Sequence, residues 1–219
     1  MDMKRFFCLF VSVFLFLSFF CGCGSEFSLL DYVSENRLDI LTGSKDGYLL
    51  TVYFTEKESP YLADGIKAEI NRLAEFTLTA PDNTATYTLS ATVNGTLYEG
   101  EFSYSAQKNN FNLTLPMDFT DVRSLTCTVL EGKTAHEIVC ESVKEESVLS
   151  YREILGFLER AEAERIDSLK EKNVFRGEIY VRLLYDDGCY YYVGIIDRNG
   201  GVYALLFDAA DGKILATRE

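Results

Sequence analysis

Between Tyr48 and Ser142 apolar side chains recur at every second position or in short runs rich in Val, Ile, Tyr, Phe and Thr, and turn residues break the runs. A period of two is the mark of strands that bury one face. It predicts strands at about 47–55, 75–79, 86–93, 97–105, 111–115, 124–130 and 135–143. The sharpest joint is Val93-Asn94-Gly95-Thr96, because Asn-Gly accepts the positive φ values of a type I′ hairpin. Lys108-Asn109-Asn110 and Glu131-Gly132-Lys133 serve as further turns. Seven strands at this spacing suit an antiparallel β-sandwich of immunoglobulin-like outline over 47–146. Upstream, 27–41 carries both periods, and the expectation there is a short helix at 29–34 followed by an edge strand.

After Lys144-Glu145-Glu146 the period lengthens to about 3.6 residues. Ser150 and Glu153 have the spacing of a capping box, with Leu149 and Ile154 at the flanking staple positions. Tyr151, Ile154, Leu155, Leu158, Ala161, Ile166 and Leu169 then form one apolar stripe, with Arg152, Glu159, Arg160, Glu164, Asp167 and Lys170 mainly off it. A helix of this kind covers a sheet. Strands predicted at 178–185, 189–196, 201–207 and 213–217 supply that sheet, and the short polar links between them imply an antiparallel meander. The fold expected is therefore mostly β, or α+β: an N-terminal antiparallel β-sandwich, then a helix packed on a four-stranded antiparallel meander over 147–219. The helix, the meander and its closing Asp208, Ala209, Gly212, Lys213 and Leu215 resemble the PepSY family, whose strands end in Asp-Ala-x-x-Gly-Lys-x-Leu. That resemblance implies an extracytoplasmic domain, in some members a protease propeptide or inhibitor.

The N-terminus is a different kind of segment. Sixteen of the first 22 residues are apolar, and Lys4-Arg5 precede an almost unbroken run from Phe6 to Phe20, the order of charge and apolarity found in secretory signals. Fifteen residues fall short of the roughly 20 that span a bilayer as a helix. A permanent transmembrane anchor is the alternative. Phe20-Cys21-Gly22-Cys23 resembles a bacterial lipobox, which implies removal of 1–22 and a lipid anchor on Cys23. An ordinary cleaved signal and a free secreted protein is the other outcome. Residues 23–46 would then hold the anchor segment and the first element. Ser59-Pro60-Tyr61-Leu62-Ala63-Asp64-Gly65 is similar to a stretch of uncharacterised lipoproteins of clostridia-like bacteria, which brings no function with it.

Charge narrows the partners. The chain has 21 basic and 34 acidic side chains, and removal of 1–22 leaves 19 and 33, a net charge of −14. Such a surface repels phosphates, so nucleic acid is not an expected partner. His136 is the single histidine and stands in a strand beside Glu137 without a Gly-x-Ser-x-Gly elbow, so it reads as a surface strand histidine more readily than as part of a triad. Cys127, Cys140 and Cys189 have no zinc-ligand spacing, and Asp197, Asn199, Asp208 and Asp211 fit turn chemistry better than a calcium loop. No metal, cofactor or catalytic residue is assigned.

Two features remain. Cys127 and Cys140 are placed symmetrically about a hairpin centred near 133.5, so they face each other as a disulfide or as two buried thiols. Tyr190-Tyr191-Tyr192 gives the meander an aromatic bias; Tyr180, Tyr190, Tyr192 and Tyr203 are the candidate interaction surface, the alternative being division between the helix interface and the domain junction. The expected function is non-catalytic binding on the extracytoplasmic side of the cell membrane, with the membrane itself, through Cys23, and an envelope protein as partners. An extracytoplasmic hydrolase and a passive envelope scaffold are the competing classes.

Overall fold

The computed structural model describes residues 27–219 apart from 61, 63–65, 121 and 173. The signal segment, Cys23 and most of the Ser59–Gly65 motif therefore lie outside the described residues. Ser28 caps a single 3₁₀ turn, Leu29–Tyr32, by accepting the Leu30 N–H at 3.3 Å. The chain then enters β1, Val33–Lys45. The helix expected at 29–34 is thus cut to one turn, and the strand after it is no edge: β1 pairs with three other strands.

β2, Tyr48–Ser59, returns antiparallel to β1 through Asp46-Gly47, both at positive φ, and β3, Glu69–Thr79, pairs with β2 along its whole length. β4, Tyr87–Val93, and β5, Thr96–Glu101, form the expected Asn94-Gly95 hairpin, with φ values of 51° and 79°. The strand expected at 97–105 is broken at Phe102, which is buried while its N–H donates to the Tyr87 carbonyl. Its second part, β6, Ser103–Ser105, pairs instead with β7, Asn110–Pro116, which lies against β3. Sinking one aromatic ring turns the chain from one layer to the next. β8, Ser124–Glu131, pairs with β4 and β9, Thr134–Ser142, and β9 meets the end of β1. The sheet thereby curls into a nearly barrel-like shape around a first core that includes Leu50, Val52, Phe54, Phe76, Tyr87, Val129 and Ile138. Fully burying apolar side chains of this size contributes roughly 1.5–3 kcal/mol each.

The capping box at Ser150 and Glu153 is present in full and opens α1, Tyr151–Ala161. The single helix expected to run to Leu169 is divided at Glu162, after which α2, Ala163–Ser168, still delivers Ile166 to the core. Two-residue strands β10, Lys170–Glu171, and β11, Val174–Phe175, follow. β12, Glu178–Tyr185, β13, Cys189–Ile196, β14, Val202–Asp208, and β15, Ile214–Arg218, then pair antiparallel in chain order. Ile154, Leu155 and Leu158 of α1 join Val181, Val193, Leu205 and Phe207 in a second core.

What periodicity could not reveal is the junction. β12 lies parallel to the first half of β1, from Val33 opposite Ile179 to Arg37 opposite Arg182, so all these strands except β10 and β11 form one 13-stranded sheet. β1 serves both cores because successive strand side chains face opposite sides: past a register slip against β2 at Leu38, Ile40 enters the second core and Leu41 the first.

Candidate ligand site at the mouth of the barrel

The first core is open at the end where β2 leaves it. Phe54 is its last core residue on that strand, and residues 117–120, 122 and 123 lie across the opening, so that the Phe119 ring stacks on Phe54 at 4.6 Å. That segment is held in place. Met117 N–H donates to the Arg72 carbonyl at 3.2 Å, Asp118 N–H to the Tyr98 hydroxyl at 3.2 Å, and the Ser142 N–H to the Arg123 carbonyl at 2.9 Å. Between segment and strands remains a cavity of about 340 Å³ with Leu38, Phe54, Phe119 and Val122 on its apolar side. Barrel mouths are a preferred place for small-molecule sites, and an apolar wall with a few convergent polar groups is their usual lining.

The polar side consists of Asp39, Glu56, Arg72, Thr120, Arg123 and Lys144. Arg72 is spent within the protein: it bonds Glu56, Asp118 and Thr120, each at 3.0 Å, and these bonds hold its guanidinium firmly charged. Asp39 is nearly buried, accepts the Ile40 N–H at 2.8 Å and the Ser142 hydroxyl at 2.8 Å, and faces Arg123 at 3.7 Å. Lys144 differs. Its ammonium donates to the Leu38 carbonyl at 3.3 Å, and among the described residues no carboxylate lies within 4.0 Å of it. Burial lowers its pKa, the Asp39 charge works against that, and Arg123 adds to it. Three cations, Arg72, Arg123 and Lys144, thus face three carboxylates, Glu56, Asp118 and Asp39, and the cationic excess is confined to the Asp39 side, where Arg123 and Lys144 share one carboxylate.

The opposite end is closed. The Tyr48 hydroxyl donates to Glu131 at 2.8 Å; that of Tyr87 lies 2.8 Å from the Asp82 carbonyl and 3.3 Å from Glu131. His136 is there too, its ring tilted against that of Tyr48 at 4.2 Å with Nε2 3.9 Å from Glu131, too far for a hydrogen bond. It is neither on the open surface nor paired with a nucleophile.

The tyrosines expected together are separated. Tyr203 lies on the face of the meander that α1 and α2 cover, its hydroxyl donating to Glu162 at 3.0 Å and its ring under the Arg165 guanidinium at 3.6 Å. Tyr180, Tyr190 and Tyr192 share the other face, but Tyr180 is only 6% exposed. Its ring lies over Gly194, where any Cβ would collide with it, beside Tyr192 at 5.7 Å and beneath Arg182 at 4.4 Å. Arg182 in turn joins Lys57 on Glu35, and although burial opposes it, these two cations keep the Glu35 carboxyl below its ordinary pKa. Only Tyr190 and Tyr192 of the four remain half-open on this face.

Cys127 and Cys140 are both buried in the first core and both are thiols. The hairpin register pairs Cys127 with Ile138 and Cys140 with Leu125, so the two are diagonal neighbours, not directly opposed. The loop is two residues, Gly132-Lys133, which moves the centre to 132.5. A hydrogen bond with Cys140 and burial raise the Cys127 pKa well above the usual thiol range, and the Cys140 thiol donates to the Leu50 carbonyl at 3.7 Å. Among the described residues there is no group of three or more metal-ligating side chains, and no helix is long and apolar enough to cross a membrane. Comparison with family models, curated proteins and solved structures found no match to the chain.

None of the mouth residues stood out in the sequence. Their signal is faint: Leu38 and Asp39 sit where strand alternation slips, and Lys144 was visible only as part of a polar break.

Proposed function

We propose that this is a lipid-anchored binding protein of the extracytoplasmic face of the cell membrane, held through Cys23, which captures a small amphipathic anion in the mouth of its barrel. In this reading 47–146 is a sandwich-like ligand-binding domain and 147–219 a PepSY-like domain at its side. The observation that carries the ligand is Lys144, a half-buried ammonium without a matching carboxylate, set beside the apolar wall of Phe54 and Phe119. A partly desolvated cation is costly unless an anion meets it. Binding is favoured over hydrolysis because the hydroxyl that lines the site, that of Thr120, donates to Asp118 at 2.8 Å and accepts from the charged Arg72 guanidinium at 3.0 Å, an environment without a free general base to activate it. His136 is at the closed end.

The test is calorimetric titration of the full-length protein in detergent with 3-phenylpropanoate and with 3-phenylpropylamine. The acid should bind and the amine should not, and Lys144→Gln should weaken the acid about tenfold, the loss expected for one charged hydrogen bond. Equal binding of acid and amine overturns the site. The anchor is tested separately: Cys23→Ser should abolish incorporation of labelled fatty acid, and retained label overturns it.

A further inference from the structure

A second cavity, of about 330 Å³, lies where the barrel meets the 3₁₀ turn and the start of α1, and Glu56 lines both it and the mouth. Across β1 and β2 Glu56 is paired with Asn36, which also lines the second cavity. Asn36 is 3% exposed, yet its Oδ1 is buried without a hydrogen-bond partner. A buried carbonyl oxygen left unmatched is costly, and because Asn36 borders the cavity a donor entering there is the partner nearest to hand. The other acceptors at hand are the carboxylates of Asp31 and Glu56, the latter giving one oxygen to Arg72. Lys67 and Arg152 also border the cavity but are exposed, and the Arg152 guanidinium lies over the Tyr151 ring at 5.4 Å. The interior of this cavity therefore accepts hydrogen bonds, while the mouth, as read above, takes a negative charge.

Asn36 and Asp39 are three residues apart on β1, about 10 Å in an extended strand. That is also about the length of an extended tripeptide. We propose that the two cavities are the ends of one groove for a short peptide with free termini, its carboxylate between Lys144 and Arg123 and its ammonium at Asn36 Oδ1 beside Asp31 and Glu56. An apolar C-terminal side chain rests on Phe54 and Phe119, and the peptide backbone crosses over the Glu56–Arg72 pair. The proposal rests on the mouth reading for its anionic end and adds the cationic end and the distance between them.

The experiment titrates the full-length protein in detergent with Ala-Ala-Phe, its N-acetyl form and its C-terminal amide. The free tripeptide should bind tightest, and acetylation and amidation should each weaken it tenfold or more. In Asn36→Ala acetylation should lose most of its effect while amidation keeps its own. Asp31→Asn, at an exposed position that does not threaten folding, should reduce the effect of acetylation about threefold. If acetylation makes no difference while amidation still weakens binding, the cationic end is wrong and the mouth survives. If amidation makes no difference, the mouth reading fails and the groove fails with it.

Discussion

Tyr48 and Phe54 stand on the same strand, both in the first core, and they finish its two ends in opposite ways. At the Tyr48 end the aromatic side chains carry hydroxyls. Tyr48 and Tyr87 turn theirs onto Glu131, the His136 ring leans on Tyr48, and the Glu131 carboxylate is satisfied by groups that also fill the space. At the Phe54 end the stacked rings of Phe54 and Phe119 fill space but offer no donor, so the charges around them must pair among themselves, and Lys144 meets a backbone carbonyl in place of a carboxylate. A single oxygen per ring separates an end that consumes its charge from one that presents it. Buried polar groups stabilise only when matched, and the unmatched Lys144 is what the proposed anion would satisfy.

The largest test of this contrast is at the closed end. Tyr87 is fully buried, its ring set edge-on to Tyr48 and to Phe111, so Tyr87→Ala should cost about 3–5 kcal/mol in chemical denaturation. Tyr87→Phe, which keeps the ring and removes the hydroxyl, should cost about 1 kcal/mol. A cost below that for the alanine variant would mean that the ring does not plug the barrel.

The same end should set the alkaline limit of stability. Burial, reinforced by the Glu131 charge, raises the pKa of both Tyr48 and Tyr87, so the folded protein holds these phenols neutral more strongly than the unfolded chain does. Their contribution is complete below the unfolded phenol pKa of about 10 and is lost as the pH climbs above it toward the raised folded values. Unfolding free energy should therefore fall with pH above about 10, and a Tyr48→Phe, Tyr87→Phe double variant should fall less steeply. An unchanged slope in the double variant would assign the alkaline loss to other groups.

How much of this was legible in the sequence depends on the range of the interactions. Strand positions and the Asn94-Gly95 hairpin follow from alternation and turn chemistry, and the Ser150–Glu153 capping box follows from spacing, because each is fixed by neighbours a few residues away. The parallel pairing of β1 with β12 joins residues more than 140 positions apart and leaves no local trace. Residue type alone groups Tyr203 with Tyr180, Tyr190 and Tyr192, whereas its pairing with Ile195 puts it on the other face. The mouth was invisible for the same reason. It is assembled from β1, β2, β3, Phe119, Thr120, Val122, Arg123 and Lys144, the second residue after β9, and its signature is an arrangement of charges that exists only once they meet.

Midway between the two ends, Cys127 and Cys140 show how a small register change alters an expectation. Diagonal strand neighbours stand farther apart than the 3.5–4.5 Å between Cβ atoms that a disulfide takes, so the barrel interior should hold two thiols. Cys127→Ala should then cost about 1–2 kcal/mol, the same with and without reductant. A larger cost that disappears in reductant would show a bridge in place of the thiols.

The smallest effect is the most telling for the mouth. Burial lowers the Lys144 pKa, so the unfolded chain holds that proton better than the folded one, and folding with a charged Lys144 gives up stability at neutral pH. Stability should recover only as the pH rises from the lowered folded pKa toward the unfolded value of about 10.4. Lys144→Gln removes the charge and keeps the donor to the Leu38 carbonyl, so in the absence of ligand it should leave the protein as stable as before or more stable, by up to about 0.5 kcal/mol. The same substitution should weaken capture of 3-phenylpropanoate. A structural lysine would behave the other way, because Lys144 would then be holding the 117–123 segment or β1 in place. A variant with a clearly lower melting temperature and undiminished anion binding would make the mouth an ordinary piece of the barrel, no different in kind from the end that Tyr48 closes.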